Sequence, residues 1–406
     1  MHRYRPSPAF RFLVLSCKWP RTDAGDAALR ALAAEISWPE VVALARRHRV
    51  IAMLQAAVAG AGIRVPLELA RELAIEMLRI RQQNLKNVAE TVQLQSILDE
   101  AGIPAIFFKG ATLSQLLYGR LDIKHSKDID FLVPPERIQQ VTQILEGRGY
   151  RLWLPLPHLR PGQWRPLLAL DKETAMVAPA TGLQVEPHWR LTAHPGLFSW
   201  LDAHSPTVSV ALDGHGEART FDRDDLFAYL CVHGVENGWM RLKWLADVHA
   251  MIAPLPAEEV DRLFAHAERV AGSLAPTVAF ALCATLYDTR MPARAAERLR
   301  AHPTIRRVTS LSLRRLMSAD DKFPLRDTAR LLLLLASARG YLLSQIWRLL
   351  IGNAEPVAFP LPPALHFLYI PARLPFGLWR RWRRGSTGTV PPFPTLDTGE
   401  GAPSPR

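Results

Sequence analysis

Cysteine is scarce in this 406-residue chain, which has only Cys17, Cys231 and Cys283. They stand far apart, are odd in number and include no CxxC pair. That excludes a disulfide framework and a zinc knuckle, and leaves three ordinary thiols in a reducing compartment. Long apolar runs are also missing. Leu331 to Leu335 is the strongest, and Arg339 and Arg348 follow it. It falls far short of the ~20 residues a spanning helix needs. The apolar stretch Phe12 to Cys17 is too short for a secretory signal and is followed by Lys18 and Arg21. These absences point to a cytoplasmic protein. Acidic residues number 38 against 50 Lys and Arg, giving a formal charge of +12. The excess is uneven: from position 301 onward there are 15 Lys and Arg against 6 Asp and Glu. A nucleic-acid-binding core spreads its basic residues around the site, so nucleic acid is not the expected partner.

What is present is apolar enough, at 49%, to build a sizeable core. Asp26 to Ala34, Trp38 to Arg47 and Pro66 to Leu98 place apolar residues three and four apart, as helices do. The last segment carries one stripe through Leu69, Leu73, Met77, Ile80, Leu85, Val88, Val92 and Leu98. After Gly102 the pattern changes. Strands are expected over Ile103 to Phe108, Asp128 to Val133, Tyr150 to Leu154, Ala175 to Val177 and Leu183 to Trp189. Helices are expected over Ala111 to Tyr118 and Glu136 to Leu145. The helical period returns in Asp224 to His233, Leu242 to Ile252, Glu258 to Val270, Thr277 to Leu286 and Arg326 to Leu350. From Gly385 the chain is rich in Pro, Gly, Thr and Ser and reads as disordered. Four regions are expected: an N-terminal helical region (1–100), an α+β core (101–222), a C-terminal helical domain (223–352) and a Pro-rich basic tail (353–406).

The segment Lys127-Asp128-Ile129-Asp130-Phe131-Leu132-Val133 carries the most chemistry. Alternate residues of a strand share a face, so Asp128 and Asp130 project together. Two carboxylates so close repel unless a cation lies between them. Mg²⁺ fits, being hard and commonly held by one or two carboxylates plus substrate phosphates. Upstream, Lys109-Gly110 closes a strand and opens a helix. Glycine lets the backbone approach a phosphate, and the helix N-terminus favours an anion. A third carboxylate is wanted for a second metal or as a base, and Glu186 is the candidate. Glu186 and His188 share a face; the competing reading is an exposed edge strand capped by Pro187. His48, His158, His194 and His266 lack metal-ligand spacing, and Trp239 and Trp244 read as core.

Several of these runs together resemble the bacterial "uncharacterised nucleotidyltransferase" family, within the polymerase-beta-like nucleotidyltransferase superfamily. They are Phe107-Phe108-Lys109-Gly110-Ala111-Thr112-Leu113, Leu117-Tyr118, and Asp128-Ile129-Asp130-Phe131-Leu132-Val133. Val185-Glu186-Pro187-His188-Trp189 is similar to the family's Asp-Leu-His-Trp segment. His233 with Arg241-Leu242-Lys243-Trp244-Leu245-Ala246-Asp247 is similar to its helical segment.

The resemblance implies an α+β fold, with a small mixed sheet flanked by N-terminal and C-terminal helical regions. It implies Mg²⁺ (or Mn²⁺) held by Asp128, Asp130 and Glu186, which would also be the catalytic residues. It implies a nucleoside triphosphate held by Lys109, Gly110, Thr112, Arg241, Lys243 and Asp247. The acceptor would be a hydroxyl of a small molecule such as a sugar, of a peptide or of a protein, in exopolysaccharide or peptide natural-product biosynthesis. Three positions depart from the pattern: Ala111 follows the glycine where Ser is frequent, Lys124 replaces Arg, and Glu186 replaces Asp. The departures at Glu186 and at Ala111-Thr112 keep open a second function, a non-catalytic nucleotide-binding scaffold or regulator. The Trp379-Arg380-Arg381-Trp382-Arg383-Arg384 run suits peripheral contact with an anionic membrane.

Overall fold

Capping and proline chemistry set the first helices. Ser7 accepts from the Phe10 amide to start α1 (Pro8–Ser16), and Thr22 does the same from Gly25 for α2 (Asp23–Leu32). Pro39 sits in the first turn of α3 (Trp38–His48), where its missing N–H costs nothing. Arg49 ends that helix with a left-handed φ of 57°, and α4 (Ile51–Gly60) follows. The structure, a computed structural model, describes residues 6–192, 198, 200–318, 354–372 and 375. The expected helix over 326–350, the 379–384 run and the tail from 385 lie outside them.

The longest helix among the described residues is the 34-residue α5 (Leu67–Glu100). Its buried face is not wholly apolar, as the sequence pattern suggested. Leu85 is 52% exposed, while Asn84 and Asn87 are buried. The reason is local: those two amides satisfy backbone carbonyls of the loop that leads into the candidate site.

A five-stranded mixed sheet follows, in the order β1-β2-β5-β4-β3. Its members are β1 (Ile106–Phe107), β2 (Ile129–Leu132), β3 (Arg151–Leu154), β4 (Ala175–Ala178) and β5 (Leu183–His188). The helices α6 (Gly110–Tyr118), α7 (Ile138–Gly147) and α8 (Pro161–Leu170) are inserted between strands. β1 is shorter than the apolar run Ile103 to Phe108 implied, because the Ile103 amide still bonds Leu98 O to close α5. β2 and β5 pair in parallel, and the other pairs are antiparallel. β5 is therefore a central strand, which removes the edge-strand reading of Pro187.

The hairpin β6 (Thr207–Ala211) and β7 (Glu217–Phe221) is a second, two-stranded sheet that the strand reading did not include. The C-terminal helices are α9 (Arg223–Glu236), α10 (Leu242–Ile252), α11 (Ala257–Ala271), α12 (Leu274–Tyr287), α13 (Ala293–Ala301) and α14 (Pro303–Met317). The sheet separates two apolar cores. Ile129, Phe131 and Val185 pack with Val141, Leu145 and Leu167 of α7 and α8. Ile106 and Leu132 pack on the other side, with Phe227 and Tyr229 of α9. Strand alternation puts Asp130 on the same face as Leu132, between the sheet and the C-terminal helices. Trp239 is fully buried. Among the described residues no helix is long and apolar enough to cross a membrane.

Candidate active site

The first wall is the turn from β1 into α6. Phe107 and Phe108 are buried, and Lys109 precedes the helix with no side-chain cap on its first-turn amides. Gly110 has φ +63°, and a Cβ there would lie 3.2 Å from Ser126 Oγ. Only glycine takes that conformation without strain. The helix opens without a side-chain cap where the Asp128 loop approaches, an end whose dipole favours an anion. Thr112 does not join them. Its hydroxyl donates to Phe107 O at 2.6 Å and Lys109 O at 3.0 Å, and it is fully buried. The hydroxyl of this residue, expected on the nucleotide, braces the turn.

The second wall is the loop before β2. Asn84 Nδ2 donates to Leu121 O at 3.0 Å and to Lys124 O at 2.6 Å. Asn87 Nδ2 donates to Ser126 O at 3.0 Å, and Ser126 Oγ to Asp128 O at 3.0 Å. A loop with its carbonyls fixed this way holds Asp128 at the start of the strand. The pairing of β2 with β5 then sets Asp130 directly opposite Glu186. Asp130 and Glu186 thus face each other on neighbouring strands, and Asp128 lies two residues before Asp130.

Two further residues join them. Asp130 Oδ1 lies 3.0 Å from Lys109 Nζ and 3.0 Å from His188 Nε2. His188 Nε2 also lies 2.9 Å from Glu173 Oε2, which Lys172 Nζ meets at 2.6 Å. Ligand atoms of Asp130, Glu173, Glu186 and His188 lie within 4.8 Å of one another. Period-two reasoning had placed His188 on the Glu186 face without giving it a role. Glu173 carried no signal, for it precedes β4 and reaches the site through a single bridge to His188.

The electrostatics are lopsided. Burial, then the charges of Asp130, Asp128 and Glu173, push Glu186 up to about 9. Burial and Asp130 also raise Asp128. At Asp130 burial opposes ionisation but is outweighed by Lys109 and His188, which hold the carboxyl well below its usual range. At Glu173 His188 and Lys172 outweigh burial in the same way. The Glu186 carboxylate makes no hydrogen bond or ion pair among the described residues. A buried carboxylate in that position fits a divalent cation.

The C-terminal helices contribute cations. Lys243 makes no hydrogen bond or ion pair among the described residues. Burial, then Lys124 and Arg49, lower it to about 7, while Asp128 pulls the other way. Arg241 donates to Arg47 O. Asp247, expected near the nucleotide, is 2% exposed and committed internally. It accepts from Tyr118 Oη at 2.9 Å and from Lys124 Nζ, which ties α10 to α6 and to the loop before β2.

A small mixed sheet with an Asp-X-Asp strand, an adjacent acidic strand and a glycine-opened helix defines a nucleotidyltransferase-type protein. The family model described as uncharacterised nucleotidyltransferase matches residues 34–288, and the chain belongs to that family. A comparison with curated proteins finds no match.

Proposed function

We propose that the protein is a metal-dependent enzyme that moves a nucleoside monophosphate from a nucleoside triphosphate to an acceptor hydroxyl. The observation that carries this reading is Asp130 opposite Glu186, with Asp128 beside them. Asp128, Asp130 and Glu186 would hold the cation, Mg²⁺ or Mn²⁺. When bound it would neutralise their repulsion and stabilise charge developing on the transferred phosphoryl group and the leaving pyrophosphate. The α6 amides, opened by Gly110, receive the phosphates, and Lys243 supplies a positive charge beside Asp128. Lys109 balances Asp130, and Arg241 lines the same side through α10. Thr112 and Asp247 act as braces for the turn and for the helix packing. The acceptor hydroxyl belongs to a sugar, a peptide or a protein, in exopolysaccharide or peptide natural-product biosynthesis.

One observation favours a second reading, a nucleotide-binding scaffold. The Lys109 ammonium already compensates Asp130, so that acid is satisfied without a metal. The test is incubation with Mg²⁺ or Mn²⁺ and each α-³²P-labelled nucleoside triphosphate, with and without host lysate. Wild type is compared with Asp130→Asn. Label moving to an acceptor only in wild type supports transfer and names the base. Nucleotide binding without transfer, across all nucleotides and metals, supports the scaffold.

A further inference from the structure

Among the described residues, thirteen large apolar side chains are exposed, and five of them fall within one short span: Phe359, Leu365, Phe367, Leu368 and Ile370. Single apolar groups scattered over a surface need no partner, whereas a cluster marks a surface that meets something. Phe367, at 57%, is the most exposed of the five.

The span is held from behind. The helix α15 (Ala354–Ala358) puts Val357 in the same apolar core as Trp164 and Leu167 of α8. Gln163 Nε2 of α8 donates to Ala358 O at 3.1 Å. Further along, Tyr369 is buried. Its hydroxyl accepts from the Leu361 amide at 2.7 Å and donates to Phe359 O at 2.8 Å, which closes the chain into a loop around a short 3₁₀ helix (Pro363–Leu368). Tyr369 turns inward, while Leu365, Phe367, Leu368 and Ile370 beside it stay at the surface. The core that holds Val357 lies on the side of the sheet away from Asp130, so this surface is separate from the candidate active site.

The sequence supplies charge of one sign. From Phe359 to Arg384 there are five arginines and no aspartate or glutamate. Four of those arginines interleave with Trp379 and Trp382. Guanidinium groups attract lipid phosphates, and indole rings favour the headgroup level of a bilayer. Nucleic acid would match the arginines and leave Leu365, Leu368 and Ile370 unmatched. An anionic bilayer matches both the charge and the apolar groups.

We infer that residues 359–384 make a peripheral contact with an anionic lipid bilayer. Leu365, Phe367, Leu368 and Ile370 enter the acyl boundary, and the arginines that follow in the sequence meet lipid phosphates. The contact does not depend on the transferase reading.

The experiment sediments the full-length chain with vesicles of phosphatidylcholine, with and without phosphatidylglycerol. Wild type is expected to pellet with the phosphatidylglycerol vesicles and to be released as salt rises. The double variant Phe367→Gln with Ile370→Gln is expected to bind them roughly tenfold more weakly or worse. Both side chains are exposed, so it should melt like wild type. Replacing Arg380, Arg381, Arg383 and Arg384 by Gln should weaken binding by about a hundredfold or more. A double variant that binds like wild type overturns the inference, since the arginines would then act alone. Equal binding to both kinds of vesicle, or to neither, also overturns it. So does wild type that self-associates without lipid when the double variant does not, because the face would then join copies of the chain. Retention on RNA but not on vesicles assigns the arginines to nucleic acid and overturns it as well.

Discussion

Asp130 and Glu186 face each other across the parallel pairing of β2 and β5, and only the Asp130 carboxylate has polar side-chain partners among the described residues. Lys109 and His188 both converge on Asp130 Oδ1. Glu186 is left to absorb the repulsion, which is why burial and its acidic neighbours raise it to about 9. In the unfolded chain a glutamate titrates near 4.5. The folded state therefore holds a proton that the unfolded state has released, and stability falls as pH rises between those two values.

The first prediction follows from that sign. In EDTA, Glu186→Gln and wild type should melt alike near pH 4, where both side chains are neutral. The variant should become progressively more stable than wild type as pH rises from about 5 to 9. Comparing the two proteins cancels the other titrating groups. Saturating divalent cation should remove the advantage, because only wild type gains a metal ligand. A melting difference independent of pH would show that Glu186 carries no extra proton in the folded state.

Much of this site was legible in the sequence, for a physical reason. Asp128, Asp130 and Glu186 lie on strands, whose period of two can be read directly, and Lys109-Gly110 marks a turn that needs a left-handed residue. Glu173 was not legible, since a bridge between residues 173 and 188 is a tertiary event with no local trace. Thr112 and Asp247 were placed on their elements, but the internal hydrogen bonds they make, Thr112 to Phe107 O and Lys109 O and Asp247 from Tyr118 and Lys124, left no local trace. Position shows that a polar group lies near a site, but not whether the protein has already claimed it. The β6–β7 hairpin did leave a signal: Asp213-Gly214 between alternating segments is a hairpin turn. The buried amides of α5 left none, because Asn84 and Asn87 are explained only by the loop carbonyls they meet.

Lys243 supplies the second prediction. Its ammonium is lowered to about 7 by burial and by Lys124 and Arg49, so it gains charge as pH falls through that value. Affinity for inorganic tripolyphosphate in EDTA should rise from about pH 8 to pH 6 by more in wild type than in Lys243→Met. Lys243→Arg should bind with a flatter profile, since an arginine stays charged across that range. Isothermal titration of the three proteins checks this. Identical profiles in wild type and Lys243→Met would place the phosphates elsewhere.

Asp247 and Lys124 form the third case. Their side chains are 2% and 10% exposed, and Tyr118 shares the carboxylate. Removing one partner strands the other's charge in the interior. Asp247→Leu should therefore cost about 3–5 kcal/mol in urea unfolding. The double variant Asp247→Leu with Lys124→Met should recover a large part of that loss, because no buried charge remains. Additive losses would show that the pair does not act as a unit, and that the helix packing depends on shape alone.

The last prediction concerns the helix that lies over the site. Gly234 sits in α9, and a Cβ there would come within 2.4 Å of Cη2 and Cζ2 of Trp239. Those ring atoms cannot swing away. Trp239 is fully buried, has φ +50°, and its amide donates to Gly234 O at 2.7 Å. The same backbone bond that draws the tryptophan in prevents its retreat, so Gly234→Ala must move α9. Overpacking of this kind typically costs about 1–3 kcal/mol, and this site should fall at or above the upper end. Tyr229, one turn earlier on α9, lies beneath the Lys109 ammonium at 5.9 Å. The shift should therefore weaken Mn²⁺ and nucleotide binding as well as stability. Trp239→Leu in the Gly234→Ala background opens the space and should restore part of both. A Gly234→Ala protein that melts like wild type would mean that α9 and Trp239 separate far more easily than their packing implies.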